Sequence, residues 1–283
     1  MVEKRILIMP NLTRPNTVPL MEKIIAQLRA AGCRPILSDQ LDGSFYGAEY
    51  EEFQQALETC DVLVTVGGDG TILHCAKHAV AYDKPLLGVN TGRLGYLAQL
   101  EPNEIGFLSR LAAGDYTLEH RMLLEVRIDG VEETYYALND VVIAKGDLSR
   151  LADLEILGNG QPVGSYRADG LIFATPTGST AYSLSAGGPI VDPCIDTVIL
   201  TPICPHSLYA RSVLLSPETR LEVYGRYVNN ADRLIASIDG ERVRTLDFGQ
   251  KVHIRRSERA VSFVHFPEKN FNGILNVKLK SWA

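Results

Sequence analysis

"VTVGGDGTILHCA", residues 64–76, decides the fold. A continuous apolar run empties into Gly67-Gly68-Asp69-Gly70, and apolar residues at helical spacing resume from about Thr71. A buried strand therefore hands over to a helix through a glycine-rich loop. The residues in front repeat the alternation. "KRILIM" reads as a strand, "TVPLMEKIIAQLRAAGC" as an amphipathic helix ending near Gly32, and "RPILS" as a strand. "YEEFQQALETC" reads as a second helix, "DVLVTV" as a buried strand, "TILHCAKHAVAY" as a helix and "KPLLGVN" as a further strand. Short apolar strands alternating with helices predict a parallel sheet covered on both faces, a doubly wound α/β domain.

The texture changes after about Tyr116. "TLEHRMLLEVRIDG", "ETYYALNDVVIAKG", "LADLEILGNG", "QPVGSYRADGLIFATP", "TRLEVYGRYV", "RLIASIDGE", "QKVHIRRS" and "AVSFVHF" are β-rich runs separated by Gly, Asn and Asp. They predict a largely antiparallel second domain. The last segment, "KNFNGILNVKLKSWA", is too short to fold alone and is expected to dock on other structure.

The 283 residues suffice for roughly two domains of about 100–200 residues each. A formal net charge of −6 argues against a nucleic-acid or anionic-membrane partner, whose footprints are basic. Five cysteines without a C-x-x-C pair read as free thiols in a reducing compartment. The start of the chain has too short an apolar run for a signal peptide, and no stretch approaches about 18 apolar residues, so a cytoplasmic protein with no membrane partner is expected.

In a doubly wound sheet ligands sit outside the carboxyl ends of the strands. Gly67, Gly68, Gly70 and Thr71 form a loop at such an end. Glycines there would take unusual backbone angles and let phosphate oxygens reach main-chain N–H groups, facing the positive end of the following helix. A tight turn capped by Asp69 is the structural alternative. The carboxylate suits phosphoryl transfer to an alcohol, where it accepts or orients the hydroxyl proton or helps place Mg²⁺. A second motif, "RADGLIFATPTGSTAYSLSAGGPI" (residues 167–190), packs five hydroxyl side chains into eight residues. It reads either as a nucleotide-binding segment or as a Ser/Thr-rich loop.

These motifs, with "VNTGRLGYL", "LNDVVI" and "LTPICPHSL", occur together and in order over nearly the whole chain. In this the chain resembles the ATP–NAD kinase family. The resemblance implies a Rossmann-like α/β domain over residues 1–115, joined by a returning tail at 267–283, and a β-rich dinucleotide-binding domain over 116–266. It implies that Asp69 accepts the proton of the adenosine-ribose 2′-hydroxyl of NAD, with ATP (in some members polyphosphate) as donor and Mg²⁺ carried with it rather than held in a metal site of its own. It also implies dinucleotide contacts from Gly70, His74, Asn139, Asp140, Arg150, Arg167 and Asp169, the last towards the nicotinamide. Thr180, Ala181, Tyr182, Ser183, Leu184 and Ser185 would wrap the dinucleotide, and Cys204 would reach it from a neighbouring subunit of a homodimer or homotetramer. Where the family usually has Glu, this chain has Asp140, one methylene shorter. A lipid kinase of the diacylglycerol or sphingosine type would share the first motif, and a non-catalytic dinucleotide sensor could share both.

Other features have plainer readings. His74 and His78 stand four apart on a helix face without a third ligand at suitable spacing. Cys75 reads as a small buried hydrophobe, "HIRRSER" (253–259) as a solvated strand end, and the aromatics of "GSFYGAEY" (43–50) as a flap or as partial core. The apolar, charge-poor run from Leu200 is either a core strand or a subunit contact.

Overall fold

The computed structural model describes residues 3–91, 95–146, 151–226, 233–247 and 249–269, together with 271, 273, 275 and 276. Two compact units emerge, Met1–His120 with Val261–Ala283, and Arg121–Ala260.

The first unit begins with strand β1 (Arg5–Pro10), helix α1 (Thr17–Ala30), β2 (Arg34–Ser38), β3 (Glu49–Glu51) and α2 (Phe53–Thr59). It continues with β4 (Val62–Gly67), α3 (Asp69–Ala81), β5 (Leu86–Asn90) and α4 (Ser109–Ala113). The strands pair in parallel in the order β5-β4-β1-β2-β3. Strand β4 is buried along its whole length, as expected of a sheet covered on both faces. Helix α1 buries Leu20, Met21, Ile24, Ile25 and Leu28, the i, i+3/i+4 stripe legible in the sequence. The order reverses at β1: β2 lies on one side of it and β4 on the other. The loops after β1 and β4 therefore flank the topological switch point, where this sheet type binds ligands.

Two helix starts differ from the sequence reading. The helix expected from Tyr50 begins at Phe53, because residues 49–51 join the sheet as an edge strand. Glu52 then accepts hydrogen bonds from the backbone N–H groups of Gln54 and Gln55 and caps α2. Helix α3 begins at Asp69 rather than near Thr71, with Gly68 as its N-cap.

The second unit is built mainly of antiparallel strands. After β6 (Thr117–Ile128), which begins in the first unit, come β7 (Thr134–Ala137), β8 (Asp140–Lys145), β9 (Ala152–Gly158), β10 (Gln161–Ala168) and β11 (Gly170–Ala174). A short helix α5 (Tyr182–Ser185) precedes β12 (Val198–Ile203), β13 (Val213–Leu215), β14 (Leu221–Gly225), β15 (Leu234–Ile238) and β16 (Glu241–Leu246). The last strand, β17 (Val252–His265), is one continuous element where the sequence suggested two runs. Arg255, in the run read as a solvated strand end, instead lies within β17 and forms a two-pronged pair with the buried Glu125 of β6.

Six strands pair antiparallel in the order β13-β12-β11-β8-β15-β16. One face of this sheet shares a core with alternating inward residues of β9 and β14, among them Leu154, Ile156 and Val223. Its other face buries Val142, Ile172, Ala174 and Ile199 against Val191. Strand β11 is thus buried on both sides, and Phe173 is fully enclosed. Phe173→Ala should cost about 3–5 kcal/mol of stability in urea unfolding; a cost below about 1 kcal/mol would show that the central strand is not the core of this unit.

Candidate functional site

Close approach explains Gly67 of the glycine-rich loop, and unusual backbone angles explain none of its glycines. None of Gly67, Gly68 and Gly70 has positive φ, contrary to the role expected of them. A Cβ on Gly67 would collide with the Thr71 side chain, one on Gly68 would meet the Arg14 guanidinium at 3.0 Å, and Gly70 faces open space. Thr71 and Ile72 donate their backbone N–H to Gly68 O at 2.9 and 3.2 Å, closing the first turn of α3.

Asp69 does not cap its own helix. Its carboxylate turns to the segment after β5, where Tyr96 N donates to Oδ2 at 2.7 Å and Leu97 N to Oδ1 at 3.3 Å. Gly95 lets that segment come close, since any Cβ there would overlap the carboxylate. Both oxygens are thus fixed by main chain, with lone pairs left to accept one further proton donor.

A cleft of about 640 Å³ opens in this unit, lined by Asn11, Thr13, Gly70, Thr71, His74 and Cys75 among others. His74 packs edge-on to His78 with ring centroids 5.5 Å apart, and His78 packs edge-on to Phe53 at 5.1 Å. Burial, aided by the neighbouring charges of His74 and Lys77, lowers the His78 pKa. Among the described residues no three His, Cys, Asp or Glu side chains converge as metal ligands. Cys75 is buried, and that burial pushes its thiol up to about 11, an unreactive core thiol. The aromatic run divides: Phe45 is buried, Tyr46 is fully exposed, and Tyr50 accepts the Phe45 N–H on its hydroxyl at 2.7 Å.

In the second unit Asn139 and Asp140 stand at the entry of β8, held by a residue that sequence reasoning missed. Asp239 and Gly240, both at positive φ, form the two-residue turn between β15 and β16. The Asp239 carboxylate accepts the backbone N–H groups of Leu138, Asn139 and Asp140 at 2.9, 2.8 and 3.2 Å. The sequence reading kept Asp239 and Gly240 inside a β-run, and nothing in the sequence shows what the carboxylate holds. Burial, and then the Asp239 charge, raise the Asp140 pKa to about 7.

Several hydroxyls of the segment after β11 are taken up by hydrogen bonds within the protein. Thr175 Oγ1 donates to Leu138 O at 2.5 Å and accepts Gly178 N–H at 3.1 Å. Ser179 Oγ accepts Val191 N–H at 3.1 Å. Ser183, one of the expected wrapping residues, is fully buried against Thr201 at 3.0 Å. Gly178 lies against the Asn139 backbone so closely that no Cβ would fit. Thr180, Ala181 and Leu184 are partly exposed, and Tyr182 and Ser185 are exposed.

Arg167, Asp169 and Cys204 gather at the opposite end of β8 and β11, about 17 Å from Asp140 at about 3.4 Å per residue. Asp169 pairs with Lys145 at 2.6 Å, a partner the sequence did not suggest, and Arg167 lies 3.9 Å from Asp153. Cys204 is exposed at φ +44°. Its run divides: residues 198–203 are core strand, whereas Leu208, Tyr209 and Leu214 are exposed. Arg150 lies outside the described residues. The expected residues thus form one group in the first unit and two in the second.

Family models match both halves of the chain: the ATP-NAD kinase N-terminal domain over residues 6–116 and the ATP-NAD kinase C-terminal domain over residues 138–266. An NAD kinase of Thermoanaerobacter sp. (strain X514) is 36% identical over 283 residues, 98% of this chain and 99% of that protein. The crystal structure of yeast NADH kinase complexed with NADH is similar at a TM-score of 0.83 and 26% identity, covering 97% of this chain and 86% of that one. That of an NAD kinase from Archaeoglobus fulgidus in complex with ATP reaches a TM-score of 0.73 at 26% identity, covering 96% and 98%.

Two outcomes follow from this geometry. Gly95→Ala should displace the Asp69 carboxylate and reduce turnover by about 10²-fold or more, the order expected when a proton acceptor is misplaced; unchanged turnover would show that the carboxylate needs no such seat. The raised Asp140 pKa penalises the folded state as pH climbs from the ordinary aspartate value of 3.8 to about 7. The melting temperature of Asp140→Asn should therefore match the parent near pH 4, exceed it increasingly up to pH 7 and hold a constant lead above. A difference independent of pH would place the ionisation elsewhere.

Proposed function

This chain belongs to the ATP-NAD kinase family, and from that premise we propose that it is an NAD kinase, transferring the γ-phosphoryl group of ATP to the 2′-hydroxyl of the adenosine ribose of NAD to give NADP. The observation that carries the reading is the Asp69 carboxylate, fixed through both oxygens at the switch point of a doubly wound sheet. Such a group serves a hydroxyl better than a phosphate, which it would repel. Asp69 accepts the hydroxyl proton as the 2′-oxygen forms its bond to phosphorus. The bond from the γ-phosphorus to the β,γ-bridging oxygen breaks, and that electron pair leaves with ADP. ATP arrives as its Mg²⁺ complex, and the ion supplies charge neutralisation on the phosphates. The loop of Gly67, Gly68, Gly70 and Thr71, at the positive end of α3, receives the phosphate end.

In the first unit the dinucleotide contacts are Gly70 and His74; in the second unit they lie along β8 and β11. Asn139 and Asp140, seated by Asp239, take the adenosine half. The exposed part of the segment from Thr180 to Ser185 closes over the ligand, and Arg150, Arg167 and Asp169 serve its other half. The Lys145–Asp169 pair lowers the net negative charge offered there. A lipid kinase sharing the Gly-Gly-Asp-Gly loop is disfavoured because both halves of the chain match ATP-NAD kinase domains. The protein works in the cytoplasm as a homo-oligomer, with Cys204 facing a neighbouring subunit. Exposed Leu214 of edge strand β13, with exposed Ile195, Leu208 and Tyr209, suits such a contact. No described helix is long and apolar enough to cross a membrane.

The test is a coupled assay of NADP formation from NAD, ATP and Mg²⁺. Asp69→Asn should keep NAD affinity by calorimetry while losing about 10²–10⁴-fold in turnover. Near-parental turnover would remove the proton-acceptor role, and binding without turnover in the parent would make the protein a dinucleotide sensor.

A further inference from the structure

The loop after β1 flanks the same switch point as the glycine-rich loop, and the two are tied together. Asn11 N donates to Val66 O at 2.9 Å, and Asn11 Nδ2 donates to Thr71 Oγ1 at 3.3 Å. The Asn11 carbonyl oxygen Oδ1 in turn accepts Thr13 N at 3.1 Å and the Thr13 hydroxyl at 2.6 Å, while Arg14 N donates to Asn11 O at 3.4 Å. Arg14 is therefore built onto the first turn of α3. Its guanidinium lies over Gly68, the N-cap of that helix: a Cβ on Gly68 would stand 3.0 Å from Nη2, 3.3 Å from Cζ and 3.5 Å from Nη1.

Arg14 makes no ion pair among the described residues. Elsewhere in the unit Arg5 pairs with Glu51, Arg34 with Glu49, and Arg110 with Asp115 and Glu268. The cleft beside it has a carboxylate of its own, Asp42, which does not pair with Arg14 either. An exposed guanidinium without a carboxylate, held against a helix N-terminus, has its N–H donors available to a ligand. The charge balance at the site calls for such a group. A helix N-terminus offers roughly half a positive charge, and the carboxylate of Asp69 in the first turn of α3 more than cancels it. A polyphosphate donor needs further fixed positive charge there, and a guanidinium is permanently charged and matched to phosphate oxygens in pairs.

We infer that Arg14 is a catalytic residue that grips the terminal phosphates of the donor and stabilises the charge spread over them during transfer. This rests on the NAD kinase reading. It assigns the role to the phosphate chain alone, so adenosine recognition is independent of Arg14.

The experiment uses the full chain. The parent is first shown to make NADP; failure at this step overturns the NAD kinase reading. Arg14→Ala should then lose about 10²–10³-fold in kcat, the scale for one charge-stabilising donor. Its NAD affinity should equal the parent's. Binding of a non-hydrolysable ATP analogue and of inorganic tripolyphosphate should weaken by about tenfold or more, as loss of a charged hydrogen bond requires, while adenosine binding stays unchanged. Added guanidinium ion should restore part of the turnover of Arg14→Ala and leave the parent unaffected. Should Arg14→Ala lose stability, Arg14→Lys decides instead: it keeps the charge without the fork and should still show lowered kcat and weakened tripolyphosphate binding. Parental kcat and tripolyphosphate affinity in a folded variant, with an active parent, would overturn the inference and leave the NAD kinase reading intact.

Discussion

The site in the first unit depends on a carboxylate held by backbone. Asp69 stands in the first turn of α3, where an acidic side chain ordinarily serves the helix by capping it. Here it serves a different partner, the N–H groups of Tyr96 and Leu97 in the segment after β5. Two neighbouring features follow from that contact. Gly95 must lack a Cβ, and the helix cap falls to Gly68, whose open face lies beside Arg14. Two charged bonds to main chain fix the carboxylate in direction without consuming all of its lone pairs. A group so oriented can receive a proton from a hydroxyl without first reorganising.

The second unit follows a related design, in which carboxylates and hydroxyls act chiefly on the main chain. Asp239 binds three consecutive backbone N–H groups and so sets the position of Asn139 and Asp140. Thr175, Ser179 and Ser183 fold the segment after β11 back onto the outer face of the six-stranded sheet. The polar groups that remain exposed, on Thr180, Tyr182 and Ser185, are thereby carried on a rigid support. Burial, and then the charge of the anchored Asp239, raise the Asp140 pKa to about 7.

The elements were legible where local chemistry determines them. Strands β1, β2, β4 and β5 are continuous apolar runs bounded by polar residues or glycine, and α1 carries a clear apolar stripe. The Gly-Gly-Asp-Gly loop marked the switch point because three glycines around a carboxylate have few structural uses. What escaped were contacts between residues far apart in the chain. The hold of Tyr96 and Leu97 on Asp69 uses backbone N–H groups, which leave no trace in a sequence. Asp239 reaches a segment about a hundred positions earlier, and Arg255 meets Glu125 across 130 residues. Ser183, placed in the wrapping segment by the family resemblance, turns its hydroxyl to Thr201, a partner that no sequence pattern shows. The helix read from Tyr50 lost its first turn to edge strand β3, whose pairing with β2 outweighed local helix preference.

The central claim is transfer of a phosphoryl group to one ribose hydroxyl, and phosphorus NMR of the parent protein with ATP, Mg²⁺ and NAD reads it directly. The account predicts a new phosphomonoester signal on the adenosine ribose at the 2′ position, growing in step with ADP. Release of inorganic phosphate with NAD unchanged, or a phosphate attached elsewhere on the dinucleotide, would contradict it.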